Sequence, residues 1–465
     1  MGHRGTARAG GVVSQAKQIE RVEALRPFKP YPVYKDSGVE WLGEIPAHWQ
    51  VRSLKRVTSI RYGLGEPPQL LADGLPFVRA TNVTKGRIVD RDMQFVDPKD
   101  VPWSRDPALR TGDIIVVRSG AYTGDSAIIP KSHDGAIAGY DMVVRVRQGQ
   151  PQFLAWALLS RYVLEAQIEL ESMRAAQPHL NAEELGAVAI LLPPDSEQRA
   201  IAAFLDRETA RIDALVAKKE QLIELLQERR TALMTRAVTK GLDPNVPMKD
   251  SGVEWPGQIP THWEVKRIKW AARMVSGHTP DKKVESYWQG GDIPWVSLAD
   301  TGQLREVDYI STTAVMTTAD GIAHSSAHVL PSSTVVFSRD ASIGLCAITR
   351  SGMAVSQHFI GWVCGSHLLP EYLLFVLRAM TQELERLTMG ATVRTIGMPD
   401  VQRLTTPIPP LSEQEDIVAH VRERRGQIDS LTAKVREAID RLKELRTALI
   451  SAAVTGKIDV REEIA

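Results

Sequence analysis

Apolar and polar positions follow two periods along this chain, and the two occur in the same order twice. Short β-branched runs bounded by turn residues fall at 113–117, 127–129 and 142–146, and again at 333–337, 346–348 and 359–363. Runs of that length and composition predict strands. An apolar run at 153–159, and another at 371–377, is too helical in spacing for a strand and predicts one short helix inside each β-rich stretch. Each stretch closes on a double proline, Pro193-Pro194 and Pro409-Pro410, after which no proline interrupts a heptad-like pattern of about 40 residues. A helix of that length runs roughly 60 Å.

Heptads counted from Ile201 place Leu205, Glu208, Ile212, Leu215, Lys219, Leu222, Leu226, Arg229 and Leu233 at the a and d positions. In the second copy these are Ile417, Val421, Arg424, Ile428, Leu431, Val435, Ala438, Leu442, Leu445 and Leu449. Ser412 with Glu415 has capping-box spacing, and Asp195 with Gln198 is a looser version. A lone helix this long would leave its seam exposed, so the two are expected to pair antiparallel as a coiled-coil spacer with the heads at opposite ends. Lys218, Glu224, Arg230, Lys434 and Glu437 are assigned to its outward faces, a mixed-charge surface suited to helical partners.

The repetition is literal in places. Lys35-Asp36-Ser37-Gly38-Val39-Glu40-Trp41 returns as Lys249-Asp250-Ser251-Gly252-Val253-Glu254-Trp255, and Ile45-Pro46, His48-Trp49 return as Ile259-Pro260, His262-Trp263. Further on, Ser196-Glu197-Gln198, Ile212-Asp213 and Arg230-Thr231-Ala232-Leu233 recur as Ser412-Glu413-Gln414, Ile428-Asp429 and Arg446-Thr447-Ala448-Leu449. Between these frames the copies diverge, although Ala121 and Gly124 answer Ala341 and Gly344. The organisation is an N-terminal extension (1–34) without a counterpart before Lys249, a head (35–192), a long helix (193–248), a second head (249–408), and a second helix with its tail (409–465). Each head is expected to be α+β and mainly β.

Composition narrows the function. An apolar fraction of 43% with 24% charged residues fits a globular protein, and 57 Lys and Arg against 56 Asp and Glu give a net charge of +1. A polyanion-binding surface must therefore be local. Cys346 and Cys364 offer neither a metal spacing nor a disulfide framework and fit a reducing interior. The start, with Arg4 and Arg8, lacks an apolar signal core, and no apolar run is long enough to span a membrane, so a cytoplasmic location is expected.

The motif Lys-Asp-Ser-Gly-Val-Glu-Trp-x-Gly-x-Ile-Pro-x-His-Trp-x-Val, at Lys35 and Lys249, closely resembles the segment that introduces target-recognition domains in type I restriction-modification specificity subunits. Pro-Pro-x-x-Glu-Gln before a long helix, at Pro193 and Pro409, is similar to the same family. The resemblance covers nearly everything from Lys35 to Asp459. It implies an internal pseudo-twofold repeat of two target-recognition domains that read a bipartite double-stranded DNA target, one half per domain. It also implies two methyltransferase subunits and ATP-dependent restriction subunits as partners, with S-adenosylmethionine, ATP and Mg held there. No cofactor, metal or catalytic residue is then expected on this chain.

Base edges are read by Arg, Asn, Gln, His and hydroxyl side chains on strand ends and loops. In the first head the candidates are Arg61, Arg79, Asn82, Arg118, Ser119, Tyr122, Gln177 and His179, with Tyr140 nearby. In the second they are Ser276, His278, Thr279, Ser338, Arg339, Gln357, His358 and Arg394. Tyr62 and Tyr122 are weaker candidates, since aromatics near strands more often join the core. Lys131, Lys282 and Lys283 are candidates for phosphate.

Enzyme motifs are missing where they would be needed. Tyr62-Gly63-Leu64-Gly65 offers a bare GxG followed by Glu66-Pro67-Pro68, which disfavours the helix start a nucleotide-binding turn requires. No Walker A loop or His-Glu-x-x-His occurs, and Asp281, Lys282 and Glu285 read as a solvated turn. A two-headed DNA-binding or assembly module of another defence system, working without a methyltransferase, is the competing expectation.

Overall fold

In the computed structural model of the chain, residues 28–39, 42–169, 179–389 and 394–463 are described. The candidate Gln177 lies outside them. The chain divides into two compact units: residues up to Glu220 together with those from Arg436, and Gln221–Val435. Each unit holds one head, the first half of the helix that follows that head, and the last half of the other long helix.

In the first unit the central sheet has the strand order Ser126–Ile128, Ile114–Val116, Met142–Val146, Thr58–Tyr62, all antiparallel. Ile114, Ile115, Val116, Met142, Val143 and Val144 are fully buried, since both faces are covered and β-branched side chains pack well on a pleated surface. A second sheet carries Ile137–Ala138, Leu75–Val78, Gln94–Val96 and Leu70–Leu71. The helix Pro151–Leu158, with proline in its first turn, lays Phe153, Leu154 and Trp156 on the core.

The second unit repeats this plan. Ala272–Ser276, Phe359–Cys364, Thr334–Ser338, Cys346–Thr349 and Tyr309–Ile310 form one sheet, and Met316–Thr317, Ile293–Val296 and Ala354–Val355 another. The helix Pro370–Ala379 occupies the place of Pro151–Leu158. Both heads are closed by an antiparallel pair that joins entry to exit, Gln50–Ser53 with Ala189–Leu192 and Glu264–Arg267 with Thr405–Ile408.

The long helices run Asp195–Lys240 and Leu411–Val454. Asp195 and Ser412 fall inside the first turn, so the expected capping boxes do not form. Their neighbours dock the helix starts instead. Gln198 Nε2 donates to Pro193 O at 2.8 Å while its Oε1 accepts from Gln150 N at 2.8 Å. Gln414 repeats this with Pro409 O, His367 O and Leu369 N, each at 2.9 Å.

Within each unit the helix segments pair antiparallel. In the first, Arg446 Nε meets Asp213 Oδ1 at 3.0 Å; in the second, Arg230 Nε meets Asp429 Oδ1 at 3.5 Å. These are the repeated Ile-Asp and Arg-Thr positions, each aspartate on one helix answering the arginine on the other. Arg230 thus faces the partner helix rather than outward.

The helix seam departs from the expected heptad frame in one of its two rows. Leu205, Ile212 and Leu226, with Val421, Val435 and Leu449, are in the seam, yet Leu215, Leu222 and Leu431 are 43%, 39% and 45% exposed. The other row lies one residue further on, at Thr209, Val216 and Ile223 and at Thr432 and Ile439, while Arg425 turns to Asp308 and Phe375 of its head. Threonines are accommodated in that second row because Thr209 and Thr432 satisfy their hydroxyls on Leu205 O and Ile428 O, one turn back.

The repeated His-Trp and Glu meet in space as well. Glu197 is approached by His48 Nε2 at 2.8 Å and accepts from Trp49 Nε1 at 3.1 Å; Glu413 is approached by His262 Nε2 at 2.7 Å and accepts from Trp263 Nε1 at 2.8 Å. Both indoles are completely buried, so each needs this acceptor. The opening motif of each head is therefore a latch onto the helix that follows it.

Residues 28–34 are part of this frame, not an extension without a counterpart. Ala47 N donates to Val33 O as Thr261 N donates to Pro247 O, and Tyr34–Asp36 pairs with Glu44–Pro46 as Met248–Asp250 pairs with Gln258–Pro260. Tyr31 is 3% exposed and donates its hydroxyl to Glu197.

Candidate nucleic-acid interface

At one rim of each head, strand ends and loops gather most of the candidate residues. The frame there is main-chain. Gly124 N donates to Val117 O at 2.8 Å and Gly344 N to Ser338 O at 3.0 Å; Leu180 N donates to Arg118 O at 2.8 Å and Ile396 N to Arg339 O at 2.9 Å. Arg118 therefore corresponds to Arg339. Counting back from Ala121 and Ala341 would pair Arg118 with Ser338, but the turn is one residue shorter in the second head. Ser119 bridges His179 as Asp340 bridges Thr395.

A second shared feature is a close crossing of chains. Leu64 N donates to Ala138 O and His278 N to Val355 O, both at 3.0 Å. The preceding glycines touch the crossing strand: a Cβ on Gly63 would lie 1.8 Å from Gly139 O, and one on Gly277 2.0 Å from Ser356 O. No side chain fits there. Tyr62 and Tyr140 flank this crossing in the first head, Ser276 and Gln357 in the second.

On these matching stations the chemistry differs. In the first head the Arg118 guanidinium lies over the Tyr62 ring at 4.6 Å and the Tyr140 ring at 4.2 Å, with Nη2 3.3 Å from His179 Nε2. Tyr62 is 44% exposed, against the expectation of a core aromatic: it ends its strand, one face on Arg118, its hydroxyl accepting from Ala182 N at 2.9 Å. Beneath, Asp141 is 3% exposed and accepts from Arg118 N at 3.2 Å. Burial raises its carboxyl above the ordinary range.

In the second head the network is polar. Gln357 bonds Thr279 Oγ1 and approaches His358 Nε2 at 3.2 Å; His358 Nδ1 lies 2.8 Å from Asp340 Oδ2, and Asp340 also accepts from Thr395. Arg339 is turned inward, donating to Gln357 O at 3.3 Å and Ile396 O at 3.2 Å. Beside it a cavity of about 420 Å³ is lined by Thr279, Lys282, Trp288, Trp295, Gln357 and His358.

Other candidates have different surroundings. Asn82 is fully buried, its amide donating to Val89 O and Arg91 O, and Ser338 is fully buried, bonded to Asp340 O. Arg61 donates to Ala108 O at 2.9 Å; burial, with Arg145 adjacent, lowers its pKa from the usual guanidinium value. Arg79 donates to Asp92 O at 2.8 Å. Tyr122 and Arg394 are exposed, as are Lys131, Lys282 and Lys283 and, at the rim itself, Ser276 and His278. Asp141 and Thr395 were not legible as rim residues, because only the crossing strands bring them there.

Among the described residues no group of three His, Cys, Asp or Glu is placed to hold a metal ion, and no helix is long and apolar enough to cross a membrane. Both cysteines are free; burial pushes the Cys346 thiol up to about 11 and that of Cys364 up to about 12, which disfavours nucleophilic thiolate.

Two tandem copies of one recognition fold, each latched to a long helix, define a two-headed specificity protein. The family described as type I restriction modification DNA specificity domain matches at residues 48–225 and again at 260–439, and the chain belongs to it. It is 21% identical over 447 residues to the type I restriction enzyme EcoKI specificity subunit of Escherichia coli K12, covering 90% of each chain. It is 30% identical over 163 residues to the MjaIX specificity subunit of Methanocaldococcus jannaschii, 35% of this chain and 37% of that one. Among solved structures, a chain from work on complex assembly and conformational transition of the type I R-M system superposes with a TM-score of 0.70 at 20% identity, over 89% of this chain and 99% of that one.

Proposed function

We propose that this chain selects the DNA sequence on which a type I restriction-modification complex acts, reading a bipartite duplex target with one half per head, and that it performs no chemistry itself. The observation that carries this is the pair of rims: one main-chain frame, held by matching hydrogen bonds, presents Tyr62, Arg118, Tyr140 and His179 in one head and Ser276, Arg339, Gln357 and Thr395 in the other. Duplication followed by undirected drift would loosen the frame along with the surface. Arg and Gln on strand ends are donors suited to major-groove edges, and with a net charge of +1 the attraction to phosphate has to come from such local groups.

The partners in this reading are two methyltransferase subunits and restriction subunits, with S-adenosylmethionine, ATP and Mg bound there and the complex in the cytoplasm. The test is co-expression with the methyltransferase partner and sequencing of the methylated genome. Modified adenines at one bipartite motif are expected, and none from this chain by itself. Exchanging residues 40–192 for those of another specificity subunit should change one half of the motif. Random methylation, or methyl transfer by the purified chain, overturns the reading.

A further inference from the structure

We infer that Arg118 is a specificity-determining residue of the first head and that it reads a guanine in the half-site of that head; this rests on the function proposed above. Three features separate it from an ordinary surface arginine. Its guanidinium is held between two rings, Tyr62 at 4.6 Å and Tyr140 at 4.2 Å, which are themselves 44% and 48% exposed. Stacking fixes the plane of the fork while leaving its edge free, and it lowers the entropy lost when the fork engages a planar acceptor. Its backbone is fixed on both sides, the N–H on Asp141 at 3.2 Å and the carbonyl on Leu180 N at 2.8 Å, so the side chain springs from a rigid base.

The third feature is unused hydrogen-bonding capacity. Nη2 has His179 Nε2 at 3.3 Å, while the buried Nε has no hydrogen-bond partner. With its Nε closed off from the surface, the guanidinium can meet an incoming base through its terminal nitrogens, Nη1 and Nη2. Two parallel N–H groups presented in a plane match O6 and N7 of guanine in the major groove.

The second head shows what the same station looks like when it is not used this way. Arg339 commits Nε to Gln357 O and Nη1 to Ile396 O, and its Nη2 lies 3.7 Å from Asp340. No ring stacks on it among the described residues, since Ser276 and Gln357 replace the two tyrosines. The arginine there is a brace, and the exposed donor at this station is the Gln357 amide. The guanine contact is therefore a property of the first head alone, and the two half-sites differ at the corresponding position.

The test is methylome sequencing of the whole complex carrying the wild-type chain, Arg118→Lys or Arg118→Ala, with duplex binding measured against salt. Arg118→Lys keeps the cation and the stem but loses the fork, so it separates planar readout from charge alone. Both variants are expected to relax one G·C pair in one half of the motif, discrimination there falling about 5- to 150-fold, with the other half unchanged. A uniform fall over all sequences with a shallower salt slope would mark a phosphate contact and overturn the inference. So would an unaltered motif with Arg118→Lys, and that variant decides the matter even when Arg118→Ala fails to fold. A wild-type complex that marks no bipartite motif would instead overturn the proposed function.

Discussion

Glu197 and Glu413 hold the same station in the two units, each the acceptor for a buried indole and a histidine, yet their surroundings differ. Glu197 has 5% of its side chain exposed, Glu413 38%. The difference is Tyr31, which covers Glu197 and is itself covered by Arg461, 5.1 Å from its ring; the equivalent lead into the second head carries exposed Asn245. Burial pushes the Tyr31 phenol far up, with the Glu197 hydrogen bond adding to the effect, so the hydroxyl stays a donor. In one latch the carboxylate is sealed from water; in the other it receives a buried indole but is itself open to water. A repeated motif thus keeps its partners but not its energy, since the worth of a hydrogen bond depends on whether water can replace it.

The largest expected effect follows directly. Glu197→Ala strands the Tyr31 hydroxyl and the Trp49 indole in a dry site and should cost about 3 kcal/mol, whereas Glu413→Ala should cost about 1 kcal/mol. Urea unfolding followed by tryptophan fluorescence measures both; equal losses would erase the distinction. The interhelical pairs give the next contrast. Arg446, 14% exposed, also lies 5.7 Å from the Trp156 ring, and its partner Asp213 takes Arg87 of the first head at 2.6 Å. Arg446→Ala should cost about 2 kcal/mol, and Arg230→Ala, more exposed and paired at 3.5 Å, about 0.5 kcal/mol. Reversal of that order in thermal melts would show the helix register to be held by something else.

The smallest effect is a pH dependence that arises in the second unit at Asp308. Burial would raise the Asp308 carboxyl, but Arg378 and Arg425 outweigh it and hold it below its ordinary value. A carboxylate lowered on folding contributes stability above its unfolded pKa and loses it as pH falls through the folded one. Asp308→Asn should therefore flatten the acid side of the stability profile and lower stability at about pH 7. A profile parallel to the wild type from roughly pH 5 down to 2 would exclude that contribution.

What could be read before the structure was mostly framework. Pro193 and Pro409 mark the helix entries because proline ends what precedes it, and 142–146 is a strand because Val143, Val144 and Val146 fit a sheet covered on both faces. The helix seam was half legible: leucines at 215 and 222 suggested one row, while the seam turned to Thr209 and Val216, and a hydrophobicity pattern does not distinguish a row that is buried from its neighbour. The rim was legible in composition only. Asn82 and Ser338 have the right chemistry and use it internally; Tyr62 looked like core and is exposed. Those outcomes depend on which strand crosses which, as the correspondence of Arg118 with Arg339 does.

The glycine crossings and the carbonyl bonds of Arg118 and Arg339 share one property: they are made by main chain and are indifferent to the side chain above them. A scaffold of that kind separates inheritance of shape from inheritance of taste. Tyrosine can give way to serine, or histidine to threonine, without renegotiating the fold, so new sequence preferences lie a few substitutions apart on a surface whose support stays intact throughout.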